Sequence, residues 1–266
     1  MEHPIHKAGR AAVQGSMRLR CAGAAVLCHI LVFVILGCGI PTTEFLGAPD
    51  STLVEYNVQL ASLSFPHNNV DNTTDNFLGY ELYYKFYEHS SQPLDNEFGS
   101  DLSAVNNSAP GSGKTTLDDR GFFRIRESVV TGVPGEVDQP PLLPVDSGDR
   151  TTAFEVRVKF PDVPLSPVAA NLQTHLIADG SEFGPEIELA RAREASPLEI
   201  ELGFESNDIS IAPPDLDVPS GIITRDTPLQ MAIVILAYGT NFTGGTFATL
   251  YSDPLMIELP LEIVLQ

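Results

Sequence analysis

Cysteine is nearly absent from this 266-residue chain, and tryptophan is absent altogether. The three cysteines are Cys21, Cys28 and Cys38, so nothing after residue 38 can form a disulfide, a thiolate metal site or a cysteine nucleophile. The body that follows must be held together by its hydrophobic core, and its length is sufficient for one large domain or two small ones.

Basic residues are also scarce, with 15 Lys and Arg against 35 Asp and Glu and a net charge of −20. Residues 1–37 contain four of the basic residues and one acid, which leaves 11 basic and 34 acidic residues, or −23, for the remainder. A body this acidic argues against binding to nucleic acid, and against docking on anionic lipid through a basic patch.

Catalytic signatures are missing as well. No G-x-S-x-G elbow occurs. The three histidines after the N-terminal segment, His67, His89 and His175, are far apart in sequence and are interpreted as satisfied surface residues. Gly111–Thr116 (GSGKTT) is similar to a phosphate loop, but Ser108 stands where that motif needs glycine, and nucleotide binding is not expected.

The many loop acids do not define a site either. With 34 carboxylates, no pair can be singled out as a glycosidase pair. Asp71–Asp75 and Asp215–Asp217 offer hard oxygen ligands, but neither has the spacing of a calcium loop, so both are interpreted as solvated turns. No metal, cofactor or catalytic residue is predicted.

The N-terminal segment has the organisation of an export signal. Met17 is followed by Arg18 and Arg20, and His29 is the only strongly polar residue between positions 21 and 37. Because residues 1–16 contain no apolar run, the true start is predicted at Met17, within a signal that ends at residue 37. The apolar stretch is short for a spanning helix, which needs about 20 residues.

The residues Ile35-Leu36-Gly37-Cys38 resemble the lipidation box of bacterial lipoproteins, and more closely the looser boxes of spirochaetal lipoproteins, since Leu36 replaces a small residue. The resemblance implies that Cys38 becomes the first mature residue and carries acyl chains, such as palmitate, that anchor it to a membrane. It places the protein in a bacterial cell envelope, with the outer membrane or cell surface favoured. An uncleaved anchor helix or an ordinary cleaved signal are the alternatives, and both export residues 40–266.

Period-two alternation predicts strands from residue 53 onward. Phe154–Phe160 and Leu198–Phe204 alternate without error, and Leu255–Leu265 does so with Pro260 on the polar parity, which predicts an edge strand or a bulge. Met231–Tyr238 is apolar on both parities and predicts a central strand buried on both faces. Weaker strand candidates are Val54–Leu63, Phe122–Val130, Pro185–Ala192 and Thr246–Tyr251.

Helical patterns are scarce, because 21 Pro and 21 Gly interrupt the chain. Ile187–Ala195 fits a short helix or a strand, and its alternating glutamates favour the strand. Long polar connections at 89–119, 132–149 and 205–228 are candidates for binding loops or missed elements.

These patterns together predict an all-β fold. An antiparallel β-sandwich is expected over residues 53–266, after a flexible lipid-anchored tether at 38–52.

Two stretches resemble fibronectin type III-like domains. Gly79–Lys85 is similar to their third strand, and Ile233–Asn241 followed by Tyr251–Leu255 is similar to their last hairpin. The family's core tryptophan has no counterpart, and about 145 residues separate the two stretches. The resemblance therefore implies a sandwich with long insertions or a second β unit, in an adhesion or scaffold architecture with no particular chemistry.

Tyr80–Tyr87 is predicted to be a strand whose even-numbered residues face the core. Tyr83 and Tyr87 then fall on the opposite face and form a candidate interaction surface, because exposed aromatic residues are favoured interface anchors. The alternative is that the long segment that follows covers both rings.

The sequence favours a non-enzymatic, lipid-anchored envelope protein, with Cys38 as its lipidation site. The expected partners are the membrane, through that lipid, and an unidentified protein or carbohydrate, but not nucleic acid. The alternative from another class is an exported polysaccharide-active hydrolase that uses an Asp/Glu pair. A carrier of small apolar ligands between two sheets is a third hypothesis, which a large internal cavity would support.

Overall fold

The computed structural model describes residues 45–57, 62–88, 96–127, 140–159, 172–178, 181–191, 228–243 and 246–264. All of them belong to a compact unit that runs from Phe45 to Gln266. The predicted signal, Cys38 and the predicted strand at Leu198–Phe204 lie outside the described residues.

Strands dominate the described part of the chain, with two helices and a 3-10 turn at Ser51–Leu53. The helices are α1 (Asn96–Asn106) and α2 (Gly113–Asp119). The strands are β1 (Glu55–Asn57), β2 (Ser62–Pro66), β3 (Phe77–Glu88), β4 (Phe123–Glu127), β5 (Leu143–Pro144), β6 (Glu155–Lys159), β7 (Leu172–Ala178), β8 (Ser181–Arg191), β9 (Pro228–Thr243), β10 (Thr246–Tyr251) and β11 (Leu255–Val264).

Every strand pairing in the described residues is antiparallel. One sheet has the order β1-β2-β6-β7-β8, and the other is built on the long β3–β9 pair, with β10 and β11 both pairing with β9. β4 joins the two sheets, since Arg124 pairs with β3 while Ile125–Glu127 pairs with β8. The fold is therefore all-β and sandwich-like, as predicted, while the fibronectin type III likeness stays a prediction.

The inner core lies between the two sheets. Leu82 of β3 stands opposite Ile235 of β9, and Tyr84 stands opposite Ile233, so both strands turn the same face inward. Val156 on β6 contributes from the other sheet. Each fully buried side chain of this size contributes about 1.5–3 kcal/mol by leaving water. The largest side chains of this core, all at most 1% exposed, are Leu63, Phe65, Phe77, Tyr80, Leu82, Tyr84, Phe86, Ile125 and Leu143.

The two helices cover the other face of β3 and β9. Phe98 and Val105 of α1 and Leu117 of α2 are buried against Val234 and its neighbours on β9. Both faces of β9 are consequently buried, which confirms the prediction of a central strand at residues 231–238.

Several strand predictions agree with the structure. β6 lies within Phe154–Phe160, and β10 spans Thr246–Tyr251 as predicted. The segment that begins at Ile187 is a strand rather than a helix as far as Arg191, where β8 ends. The β9–β11 register shifts between Glu258 and Glu262, which is the irregularity that Pro260 predicts.

Other elements differ from the expectation. The long connection at 89–119 contains α1 and α2, because Phe98, Leu102 and Val105 recur at helical spacing and give the polar segment one apolar face. The predicted strand at 54–63 is two strands, β1 and β2, and β7 has no prediction of its own because its alternation is weak.

The packed body begins before residue 53, so the expected tether is too long. Leu46 is buried in the core, and its Cδ1 lies 3.2 Å from the position of a Cβ on Gly239. The Asn72 side chain binds Gly47 twice, accepting from its N–H at 2.8 Å and donating to its carbonyl at 2.8 Å. These contacts fix residues 46 and 47, and a Gly-, Pro- and Thr-rich composition does not reveal them.

Candidate functional site: an exposed aromatic end

Large hydrophobic side chains are exposed at one end of the sandwich. Phe247 is 80% exposed, Val70 is 79%, and Phe45 and Phe242 are each 60%. These four residues are called the aromatic end; the only other exposed large hydrophobic residue among those described is Leu53, at 58% on the adjoining turn. Exposed apolar groups gathered in one region indicate a contact surface.

Phe242 and Phe247 form a cross-strand pair on the β9–β10 hairpin. They stand opposite each other in register, with ring centroids 4.7 Å apart and ring planes at 50°. Neither residue is among the predicted site residues, although the sequence carries a signal: Gly244-Gly245 is a favoured hairpin turn, and it places these two phenylalanines at equivalent distances on either side. The pair stays in solvent because no described element packs over it.

Three segments meet at this end. Leu46 contacts Gly239, Gly47 binds Asn72, and the Thr240 N–H donates to the Asn76 carbonyl at 2.9 Å. The chain therefore enters the sandwich beside the base of the hairpin and beside the turn that holds Val70.

The aromatic end is acidic. Segments 45–53, 67–76 and 239–251 contain no Lys or Arg, whereas Asp50, Asp71 and Asp75 are exposed there. Asp71 and Asp75 also have structural roles, since Asp71 accepts from the Asn68 side chain at 3.0 Å and Asp75 accepts from Arg150 at 3.1 Å. No group of three or more His, Cys, Asp or Glu in the described residues is arranged to hold a metal.

Tyr83 and Tyr87, the predicted interaction surface, are covered. They are 1% and 5% exposed beneath α1 and α2, so the structure agrees with the alternative in which the following segment covers them. The Tyr83 hydroxyl is buried and makes no hydrogen bond within the described residues, and burial, helped by the charge of Glu81, raises its pKa. The physical reason for the cover is the apolar face of the two helices, which needs an apolar partner.

A buried carboxylate fixes α1 to the sheet. Asp101, whose side chain is 3% exposed, accepts from Lys85 Nζ at 2.7 Å, from the Tyr87 hydroxyl at 3.0 Å and from Arg120 Nη1 at 3.3 Å. Burial of the hydroxyl, together with the charge of Asp101, raises the pKa of Tyr87. The Asp101 carboxylate is thus buried with its partners, and these contacts stabilise the helical cover.

A second buried carboxylate belongs to Glu81 of β3. Glu81 is 1% exposed and receives Arg124 on both of its oxygens, through Nε on Oε2 and through Nη2 on Oε1 at 3.0 Å. The Leu142 N–H donates to Oε1 at 3.0 Å. The cluster joins three segments that are distant in sequence, and burial together with the charge of Glu81 raises the pKa of nearby Tyr251 to about 12.

His67 is buried rather than on the surface. Its ring stacks on Phe154, with centroids 4.4 Å apart, and on Phe77 at 5.3 Å. Nε2 donates to the Arg150 carbonyl at 2.8 Å, because a carbonyl can only accept, so Nδ1 accepts from the Tyr80 hydroxyl at 2.7 Å. This satisfied ring has a structural role; His89 and the side chain of His175 lie outside what the structure describes.

The neutral state of His67 predicts a pH dependence of stability. Burial lowers the pKa of His67 below the ordinary 6.5. Its neutral ring therefore contributes fully to folding stability above about pH 6.5, and this contribution is lost as the pH falls toward the lowered pKa of the folded state. Urea midpoints measured at pH 7, 6 and 5 are expected to fall in the wild type and to fall less in His67→Gln. Equal slopes in the two proteins would contradict this assignment.

The segment that is similar to a phosphate loop has another role. Gly113 begins α2 and packs so closely on Pro254 that an added Cβ would lie 2.9 Å from its Cδ. Lys114 pairs with Asp118 one turn later on α2, and α1 precedes the motif where a strand would be required.

Comparisons of the chain with protein-family models, with curated proteins and with solved structures found no match. Among the described residues, no helix has the length and apolar character needed to cross a membrane.

Proposed function

We propose that this chain is a lipid-anchored protein of a bacterial cell envelope, with a non-enzymatic β-sandwich that contacts its surroundings through the aromatic end. The observation that carries the proposal is the position of the Phe242–Phe247 pair beside the segment where the chain enters the sandwich. Exposed aromatic residues are favoured anchors of contact surfaces.

The buried polar clusters support a scaffold role. Glu81, Asp101 and His67 are all partnered within the fold, on β3, on α1 and after β2 respectively. Groups of these types carry catalysis in many enzymes, but here their hydrogen bonds hold segments of the sandwich together. The sequence supplies the membrane attachment, through Cys38 and the apolar run before it.

A binding assay with matched variants tests the contact surface. The chain from residue 39 to 266, which lacks the lipid, is expected to bind isolated envelope membranes weakly. Phe242→Ala/Phe247→Ala is expected to reduce that affinity about tenfold or more, since each ring loses roughly 1.5–3 kcal/mol of apolar burial at most. Glu88→Ala, at an exposed residue on the opposite end of β3, is the control and is expected to leave the affinity unchanged.

If the double variant binds the membranes as tightly as the wild type does, the aromatic end is not a contact surface. Turnover of envelope polysaccharides by the same preparation would contradict the non-enzymatic part of the proposal and favour the hydrolase alternative.

A further inference from the structure

We propose that the aromatic end docks on the same bilayer that holds the chain's own anchor, with Phe242 and Phe247 inserted at the level of the lipid headgroups. The inference rests on the proposed membrane attachment near Cys38, and it names the partner of the aromatic end as a lipid surface without net charge.

Chain length places this end at the membrane. Six residues lie between Cys38 and Phe45, and the seven steps from one to the other span at most about 25 Å in a fully extended chain. Leu46 is packed at Gly239, and Phe242 follows Gly239 by three residues, about 10 Å along β9. A membrane attachment at Cys38 therefore keeps the hairpin within reach of the membrane surface. An uncleaved anchor helix that ends near Cys38 would do the same.

Tethering makes weak insertion sufficient. Two phenylalanine rings on a hairpin bury too little apolar area for strong binding by themselves. Once the chain is anchored, insertion is intramolecular, and the high effective concentration of bilayer shifts the equilibrium toward contact. The aromatic pair would then hold the sandwich in one orientation on the membrane.

The charge of the end selects the kind of lipid. Three carboxylates are exposed on the segments that form it, and Arg150 pairs with one of them, Asp75. Asp50 and Asp71 still leave the end negative, so an anionic surface repels it. Insertion is therefore expected on zwitterionic lipid and is expected to weaken as anionic lipid is added at low salt.

The absence of tryptophan from the chain allows a direct test. Full-length lipidated chain carrying Phe247→Trp is reconstituted in phosphatidylcholine vesicles, with Glu88→Trp as the control. Glu88 is exposed at the far end of β3, 11 residues or about 36 Å from Phe77, which pairs with Gly239 near the base of the hairpin. Vesicle flotation reports the anchor, and tryptophan emission with quenching by brominated phosphatidylcholine reports the hairpin.

The expected result is that both variants float, that the tryptophan at 247 emits at shorter wavelength and loses emission to the brominated lipid, and that the tryptophan at 88 does neither. Flotation with a solvent-exposed tryptophan at 247 would overturn the inference and leave the anchor standing. Failure to float would overturn both. A short emission wavelength without vesicles that appears only at high protein concentration would assign the end to a second copy of the chain and overturn the lipid contact.

Discussion

Replacing Arg124 with methionine is expected to lower the free energy of unfolding by about 3–5 kcal/mol. The reason is the burial of Glu81, which is 1% exposed and holds Arg124 on both carboxylate oxygens. Without the guanidinium, a carboxylate remains in an apolar site, and the Leu142 N–H cannot replace the lost charge. Urea denaturation at pH 7 measures the difference.

Two variants show whether the loss comes from the buried charge. Arg157→Met removes an arginine from the pair with Glu155, whose side chains are 30% and 39% exposed, and is expected to cost at most about 1 kcal/mol. Glu81→Leu/Arg124→Met removes both charges and is expected to recover part of the stability, with the Leu142 N–H left without its acceptor. Equal losses for Arg124→Met and Arg157→Met would contradict the account of a buried ion pair.

Local alternation in the sequence was enough to predict much of the sheet. β6 and β9 show why: the period-two pattern of Phe154–Phe160 and the continuous apolar run of Met231–Tyr238 each report directly how many faces of the strand are buried. The proline at 260 likewise reports a break in hydrogen bonding through its missing N–H.

Features that depend on distant partners could not be predicted. Tyr83 alternates as a surface residue would, and only the docking of α1 and α2 buries it. The ion pair of Glu81 with Arg124 spans 43 positions, and no local pattern links them. His67 is similar, because its ring is stacked between Phe77 at the start of β3 and Phe154 just before β6, which are distant from it in sequence or separated from it by a loop.

The aromatic end lies between these two cases. Its hairpin can be read from Gly244-Gly245 and the two flanking phenylalanines. The exposure of the two rings cannot be read from the sequence. It arises because β9 continues for four residues beyond Gly239, the residue that pairs with Phe77 at the start of β3. The position of the chain entry beside it depends on Leu46 packing at Gly239.

Cys38→Ala is expected to abolish acylation of the chain. In the lipoprotein box that Ile35–Cys38 resembles, the thiol of the cysteine is the atom that accepts the diacylglyceryl group, and alanine has no nucleophile to replace it. The neighbouring cysteines, Cys21 and Cys28, lie in the segment predicted to be removed and cannot substitute. Two or more acyl chains give stable anchoring, so their loss also removes the stable membrane attachment of the mature body.

Metabolic labelling with palmitate, applied to cells that express the wild type or Cys38→Ala, tests the lipid anchor most directly. We expect a labelled wild-type band and no label in the variant at matched expression. Label that persists in Cys38→Ala, or a wild-type chain that takes up none, would contradict the anchor on which the proposed function depends.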